Sequence, residues 1–122
     1  MKVLLVDDED DIRRIAALSL AAVGEMDVCE ASSGPSAIER ARRESPDVVL
    51  LDMMMPGMDG IATFRALRAQ PETARTPVVF LTAKSVSLEE ERVRELGACG
   101  VLLKPFDPMA LPRLLKELLH GS

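Results

Sequence analysis

Val48-Val49-Leu50-Leu51 is an unbroken apolar run, set off by Pro46 on one side and ended by the carboxylate of Asp52 on the other. A run without polar alternation reads as a strand covered on both faces. Four further segments are strand candidates. Lys2 to Val6 precedes Asp7 and Asp8, Asp27 to Ala31 follows Gly24, Val78 to Leu81 terminates in Thr82, and Cys99 to Leu103 stops at Lys104-Pro105.

Between these runs the apolar residues switch to helical spacing. Asp10 to about Val23 carries Ile12, Ile15, Ala16, Ser19, Ala22 and Val23, and Gly24 closes it. Gly34-Pro35-Ser36 opens a second helix through Ile38 and Ala41 to about Glu44, and Asp59-Gly60 a third with Ile61, Phe64 and Leu67. Ser85 or Ser87 caps a charged helix through Leu88, Val93 and Leu96 to Gly97. The last helix begins near Asp107-Pro108 and reaches Leu119, and Pro112 would clash with the carbonyl of Pro108, so its first turn is expected to be irregular.

Five strands alternating with five helices, without linker or repeat, give an α/β class: a doubly wound parallel sheet with helices on both faces, in one domain over residues 1–122. With three phenylalanines and no Trp or Tyr, the core is aliphatic and offers no aromatic platform for stacking bases. The net charge of -5, with no basic patch, argues against direct nucleic-acid binding. Asp7 to Asp11 end any likeness to a signal peptide, and no apolar stretch is long enough to span a bilayer, so no membrane association and a cytoplasmic location are expected. Cys29 and Cys99 lie in no CxxC pair and far from His120, and read as small buried hydrophobes.

Ligands of such sheets bind outside the carboxyl ends of the strands, where strand order reverses. The residues there are Asp7, Asp8, Asp52, Thr82 and Lys104. Singly each is a common cap or turn residue. Together, three carboxylates crowded at one edge repel one another unless a cation neutralises them. Carboxylates and water suit Mg2+; Zn2+ is disfavoured by the distance of the histidine and the cysteines. With a lysine for an anion and a hydroxyl beside it, the set suits transfer of a phosphoryl group to a carboxylate, with Asp52 as nucleophile.

VLLVDDE, VVLLDMMMPGMDG, VVFLTA and LLKPF, in that order and spacing, resemble the receiver domain of two-component response regulators over the whole chain. The resemblance implies a flavodoxin-like (β/α)5 fold with strand order 2-1-3-4-5. It implies Asp52 as phosphoacceptor, Asp8 and Asp52 as direct Mg2+ ligands with Asp7 acting through water, and the Met54 carbonyl as a further ligand. Thr82 and Lys104 would bind the phosphoryl group, and the Lys104-Pro105 peptide would be cis. Its partners would be a histidine kinase or histidine phosphotransfer protein as donor and an effector docked on helix 4, strand 5 and helix 5, or a second copy. The apolar surplus on the last helix, Met109, Leu111, Leu114, Leu115, Leu118 and Leu119, fits such a face or a wide core stripe.

One position departs from the family. Where an aromatic side chain usually responds to the threonine, this chain has Val101, which suggests weaker or different coupling to the output face. Met54 and Lys84 border the expected path of the attacking water and are candidates for tuning the lifetime of the phosphorylated state. Three alternatives stand against this reading. A haloacid-dehalogenase-like phosphatase expects a second Asp two residues after the first, where Met54 stands, and a P-loop nucleotide-binding protein lacks its motif. A receiver-like interaction module without phosphorylation is the third. The protein would catalyse its own phosphorylation and dephosphorylation, a switch rather than a metabolic enzyme, and no output domain is read in these residues.

Overall fold

The computed structural model describes residues 1–83 and 86–120, and the backbone alone for 86–88. Its elements are β1 (Lys2–Val6), α1 (Asp10–Leu18) running into a π-turn (Ser19–Val23), β2 (Asp27–Ala31), α2 (Gly34–Glu44), β3 (Val48–Asp52), α3 (Gly60–Arg68), β4 (Val78–Thr82), α4 (Val86–Leu96), β5 (Gly100–Leu103) and α5 (Leu111–His120). The strands form one parallel sheet in the order β2-β1-β3-β4-β5, as the resemblance implies.

The period of two along each strand divides the core into two layers. Leu4, Val6, Val49, Leu51, Phe80 and Val101 pack with Ala37, Phe64, Leu67 and Val93 of α2, α3 and α4. Val3, Leu5, Leu50, Val79, Leu81 and Leu102 pack with Ala16, Leu20, Leu111 and Leu115 of α1, its π-turn and α5. All residues of β3 and β4 are buried, which is why their sequences are unbroken apolar runs. Among the described residues no helix is long and apolar enough to cross a membrane.

Two helices differ from expectation. The segment from Asp10 to Val23 is not one regular α-helix, because its last turn widens, with the Gly24 amide donating to the Ser19 carbonyl at 3.1 Å. The wider turn carries Ser19 and Leu20 into the core and leaves Ala22 and Val23 exposed, and Ile15, in the regular helix before it, is exposed too. The Ser19 hydroxyl donates to the Pro108 carbonyl and so ties α1 to the loop before α5. The last helix proper starts at Leu111, after a turn in which the Asp107 carbonyl accepts from the Ala110 and Leu111 amides, each at 2.9 Å. Pro112 therefore sits in the first helical turn, where its missing N–H costs nothing, and the irregular turn at 108–110 that was expected of it avoids the clash. Cys29 and Cys99 are half-buried free thiols rather than fully buried ones. The cap expected at Ser85 or Ser87 lies outside the described residues and side chains, as does Lys84.

The loop from β3 to α3 is held close to the sheet. The Met53 amide donates to the Leu81 carbonyl at 2.9 Å, the Gly60 amide donates to the Met53 carbonyl at 3.0 Å, and Asp59 caps α3 by accepting from the Ala62 amide at 2.8 Å. A Cβ on Gly60 would stand 2.4 Å from the Asp52 carbonyl oxygen and 2.7 Å from the Met53 Cα, so α3 can approach the end of β3 only through a glycine. Gly60→Ala is expected to cost roughly 1–3 kcal/mol by forcing this backbone apart. A urea midpoint equal to that of the wild type would contradict that reading.

Candidate functional site

Because the strands run parallel, their carboxyl ends share one rim, and β1 and β3 are adjacent there although α1, β2 and α2 lie between them in the chain. Strand order reverses at this pair, which leaves a crevice between the loops above it.

 The side chains of Asp7, Asp8 and Asp52 point into this crevice, with carboxylate oxygens all within 4.8 Å of one another. Asp7 and Asp52 are buried, and Thr82 is buried at the end of β4 beside them in the sheet.

Lys104 reaches the same point from the end of β5. Its Nζ donates to Asp7 Oδ2 at 3.1 Å, Glu9 Oε1 at 3.1 Å and Asp52 Oδ2 at 3.4 Å. The Lys104 amide donates to the Thr82 carbonyl at 2.7 Å, and the Lys104-Pro105 peptide is cis, as the resemblance implies. The structure thus joins Asp7, Asp8, Asp52 and Lys104 in one cluster.

Met54 donates its amide to Asp52 Oδ1 at 3.2 Å, which fixes the carboxylate from the loop side, while its own side chain is exposed. Val101 lies away from the rim as a buried sheet residue, paired with Phe80 and packed in the layer that contains Val93 and Ala98. On α5, Leu111 and Leu115 are buried, Leu114, Leu118 and Leu119 pack partly against the core, and Met109 is exposed, so most of the apolar surplus is core stripe.

Burial and then the neighbouring Asp7 charge push the Asp52 carboxyl up to about 6, against the opposing pull of Lys104 and the Met54 amide. Burial alone would lower the Lys104 pKa, but the carboxylates of Asp7, Glu9 and Asp52 outweigh it and hold the ammonium above the ordinary lysine range. The cluster remains short of positive charge, with four carboxylates around one ammonium. Asp8 Oδ1 is buried with no hydrogen-bond partner, the state of an oxygen suited to a cation. An all-oxygen donor set of this kind fits a hard divalent ion such as Mg2+.

Three features were not read from the sequence. Glu9 contributes the fourth carboxylate, and a glutamate at a helix N-cap, where Ser, Thr, Asp or Asn are usual, was the available signal. Arg13 donates to the Asp7 carbonyl at 2.8 Å and pairs with Asp10 and Glu30, which braces the β1 end from below. Beside Asp52 lies an apolar cleft of about 440 Å³, walled by Ile12, Ile15, Met54, Pro105, Phe106 and Pro108. Its lining comes from four separate segments, the fourth contributing Ala83, so no local pattern announces it.

A family model described as "Response regulator receiver domain" matches residues 3–116. Among curated proteins, the chain is 37% identical over 121 residues to the alkaline phosphatase synthesis transcriptional regulatory protein PhoP of Bacillus subtilis, covering 99% of this chain and 49% of that protein. It is 40% identical over 111 residues to the response regulator PleD of Caulobacter vibrioides, covering 90% of this chain and 24% of PleD. The chain therefore spans half or less of the length of these relatives. Among solved structures, the Vibrio cholerae chemotaxis protein CheY4 superposes with a TM-score of 0.87 at 33% identity, over 96% of this chain and 97% of that one.

In metal-free protein the raised Asp52 value has a consequence for stability. Between the ordinary carboxyl value of 3.8 and about 6, the folded state keeps a proton that the unfolded chain has lost. Stability is therefore gained as pH falls through this window and lost as it rises. Asp52→Asn removes the charge and is expected to stabilise the metal-free protein by on the order of 1–2 kcal/mol at about pH 7.5, with the difference shrinking toward pH 4. Urea titrations in chelator check this, and no gain at the higher pH would contradict it.

Proposed function

This chain belongs to the response regulator receiver domain family, and from that premise we propose that it takes a phosphoryl group onto Asp52 and changes partner affinity as a result. The observation that carries this reading is the meeting of Asp7, Asp8 and Asp52 oxygens within 4.8 Å, with the Lys104 ammonium 3.4 Å from Asp52 Oδ2. Nucleophile, acidic cradle and anion-binding cation are present in one crevice.

The donor is a phosphohistidine on a histidine kinase or histidine phosphotransfer protein. An Asp52 carboxylate oxygen attacks phosphorus, the P–N bond breaks, and its electron pair leaves with the imidazole, which takes up a proton. The product is an acyl phosphate on Asp52. Asp8 and Asp52, with the Met54 carbonyl and a water held by Asp7, are the ligands this reading assigns to Mg2+. When bound, Mg2+ supplies positive charge that offsets the charge on the transferring oxygens. Lys104 turns an N–H from carboxylate to phosphoryl oxygen, and the Thr82 hydroxyl donates to another. Water later attacks phosphorus, the bond between phosphorus and the Asp52 oxygen breaks, and inorganic phosphate leaves while Asp52 returns to the carboxylate, on a path that the Met54 side chain borders.

The donor protein has to seat over the crevice, and the apolar cleft beside Asp52 supplies dry surface for that contact. For output the reading assigns the α4–β5–α5 face to an effector or a second copy. Leu103, in β5 itself, is an exposed apolar side chain. Val101 lacks the ring that would fill space vacated by Thr82, so the signal passes with less aromatic leverage, and it is the one observation favouring a module that works without phosphorylation. With Pro105 supporting Lys104, residues 1–122 act as one receiver domain, in the cytoplasm and without direct contact to nucleic acid or membrane.

Incubated with Mg2+ and a small phosphodonor such as phosphoramidate, the chain is expected to gain the mass of one phosphoryl group. Asp52→Asn abolishes the gain, and Lys104→Ala slows it by roughly 10²-fold. An adduct that survives Asp52→Asn would overturn the assignment.

A further inference from the structure

We propose that Glu9 is a positioning residue that latches the Lys104 ammonium in the unphosphorylated state and has to release it before a phosphoryl oxygen can be bound. The inference rests on the reading of Asp52 as phosphoryl acceptor and adds to it a residue that governs how readily Lys104 responds.

An ammonium has three N–H bonds, and Lys104 spends them on three carboxylates, those of Asp7, Glu9 and Asp52. An incoming phosphoryl oxygen finds no free donor until one of these is given up. Asp7 is buried, and its Oδ1 is also committed to the Glu9 amide at 2.9 Å. Asp52 carries the reacting oxygen. Glu9 is the exposed partner, with its side chain 55% accessible, and an exposed ion pair is held weakly enough to open.

A second observation concerns what Glu9 does not do. It is the N-cap of α1, with extended backbone at φ -86° and ψ 107°, yet its side chain accepts no hydrogen bond from the first turn. A shorter Asp, Asn or Ser at this position would cap the helix and stabilise it. Glu9 instead extends across the mouth of the crevice, lining the cleft with Asp52 and Lys104. The side chain forgoes a local hydrogen bond for one with a residue 95 positions away. Its length is what makes this contact, and its charge stands at the entrance through which an anionic donor approaches.

Two variants separate reach from charge. Glu9→Asp keeps the charge and loses a methylene, so the contact with Lys104 opens. Glu9→Gln keeps the reach and loses the charge, so a weaker contact remains. The first measurement needs neither metal nor phosphate: proton exchange of the Lys104 ammonium with water, followed by 1H–15N spectroscopy in metal-free protein. Exchange is expected to quicken about threefold or more in Glu9→Asp and by less in Glu9→Gln. The second is the rate of phosphorylation by phosphoramidate with saturating Mg2+, expected to rise in the same order. Unchanged exchange in Glu9→Asp would overturn the latch, because the contact would then hold nothing. Faster exchange with an unchanged phosphorylation rate would also overturn it, because release would not be limiting. If the wild type takes no phosphate while exchange responds as expected, the failure lies in the acceptor reading of Asp52 and the gating role falls with it.

Discussion

The ammonium of Lys104 inside a ring of carboxylates is the interaction on which the rest of the site depends. Buried Asp7 and Asp52 repel each other when both are charged, and Lys104 Nζ, within 3.4 Å of both, offsets that repulsion. One positive charge does not balance four negative ones. The orphaned Asp8 Oδ1 marks where the deficit is concentrated. A fold that tolerates this imbalance offers carboxylate oxygens suited to a hard cation on one side and a cation able to meet an anion on the other. Those are the two electrostatic conditions for phosphoryl transfer to a carboxylate.

The rest of the structure keeps these groups in register. The parallel order β2-β1-β3-β4-β5 brings the ends of β1 and β3 together, and β5 delivers Lys104 from the far side of β4. Hydrogen bonds between neighbouring strand ends, Met53 to Leu81 and Lys104 to Thr82, extend the ladder to the rim and fix the height of each functional residue. Below the rim, Arg13 holds the carbonyl of Asp7, and Ser19 secures α1 to the loop that follows Lys104. Gly60 lets α3 close against the backbone of Asp52 itself. The scaffold therefore acts on the site through backbone positions, and few of its side chains enter the crevice.

Much of this was legible because burial on both faces leaves a strong mark. Val48 to Leu51 and Val78 to Leu81 could only be central strands, and the polar residues that end them had to lie on one rim. The strand order, the cis peptide and the convergence of Asp7, Asp8, Asp52 and Lys104 agree with the sequence-based expectations. The misses have a common origin in contacts between distant segments. The π-turn at Ser19 comes with a hydrogen bond to a carbonyl 89 residues away, and a period of 3.6 projected past it put Val23 on the wrong face. The start of α5 moved because Pro112 suits a first helical turn better than a second. The Glu9–Lys104 pair joins residues from the two ends of the chain, and the apolar cleft adds Met54 and Ala83 from between them, so spacing carries no information about either.

The most direct test of the account is a crystal structure of the chain with Mg2+ and beryllium fluoride, which mimics a phosphoryl group on a carboxylate. The account requires beryllium on an Asp52 oxygen, the metal among Asp7, Asp8 and Asp52, and Lys104 Nζ donating to fluoride with its bond to Glu9 broken. Fluoride bound to another residue, or a Lys104 still held by Glu9 while beryllium occupies Asp52, would contradict it.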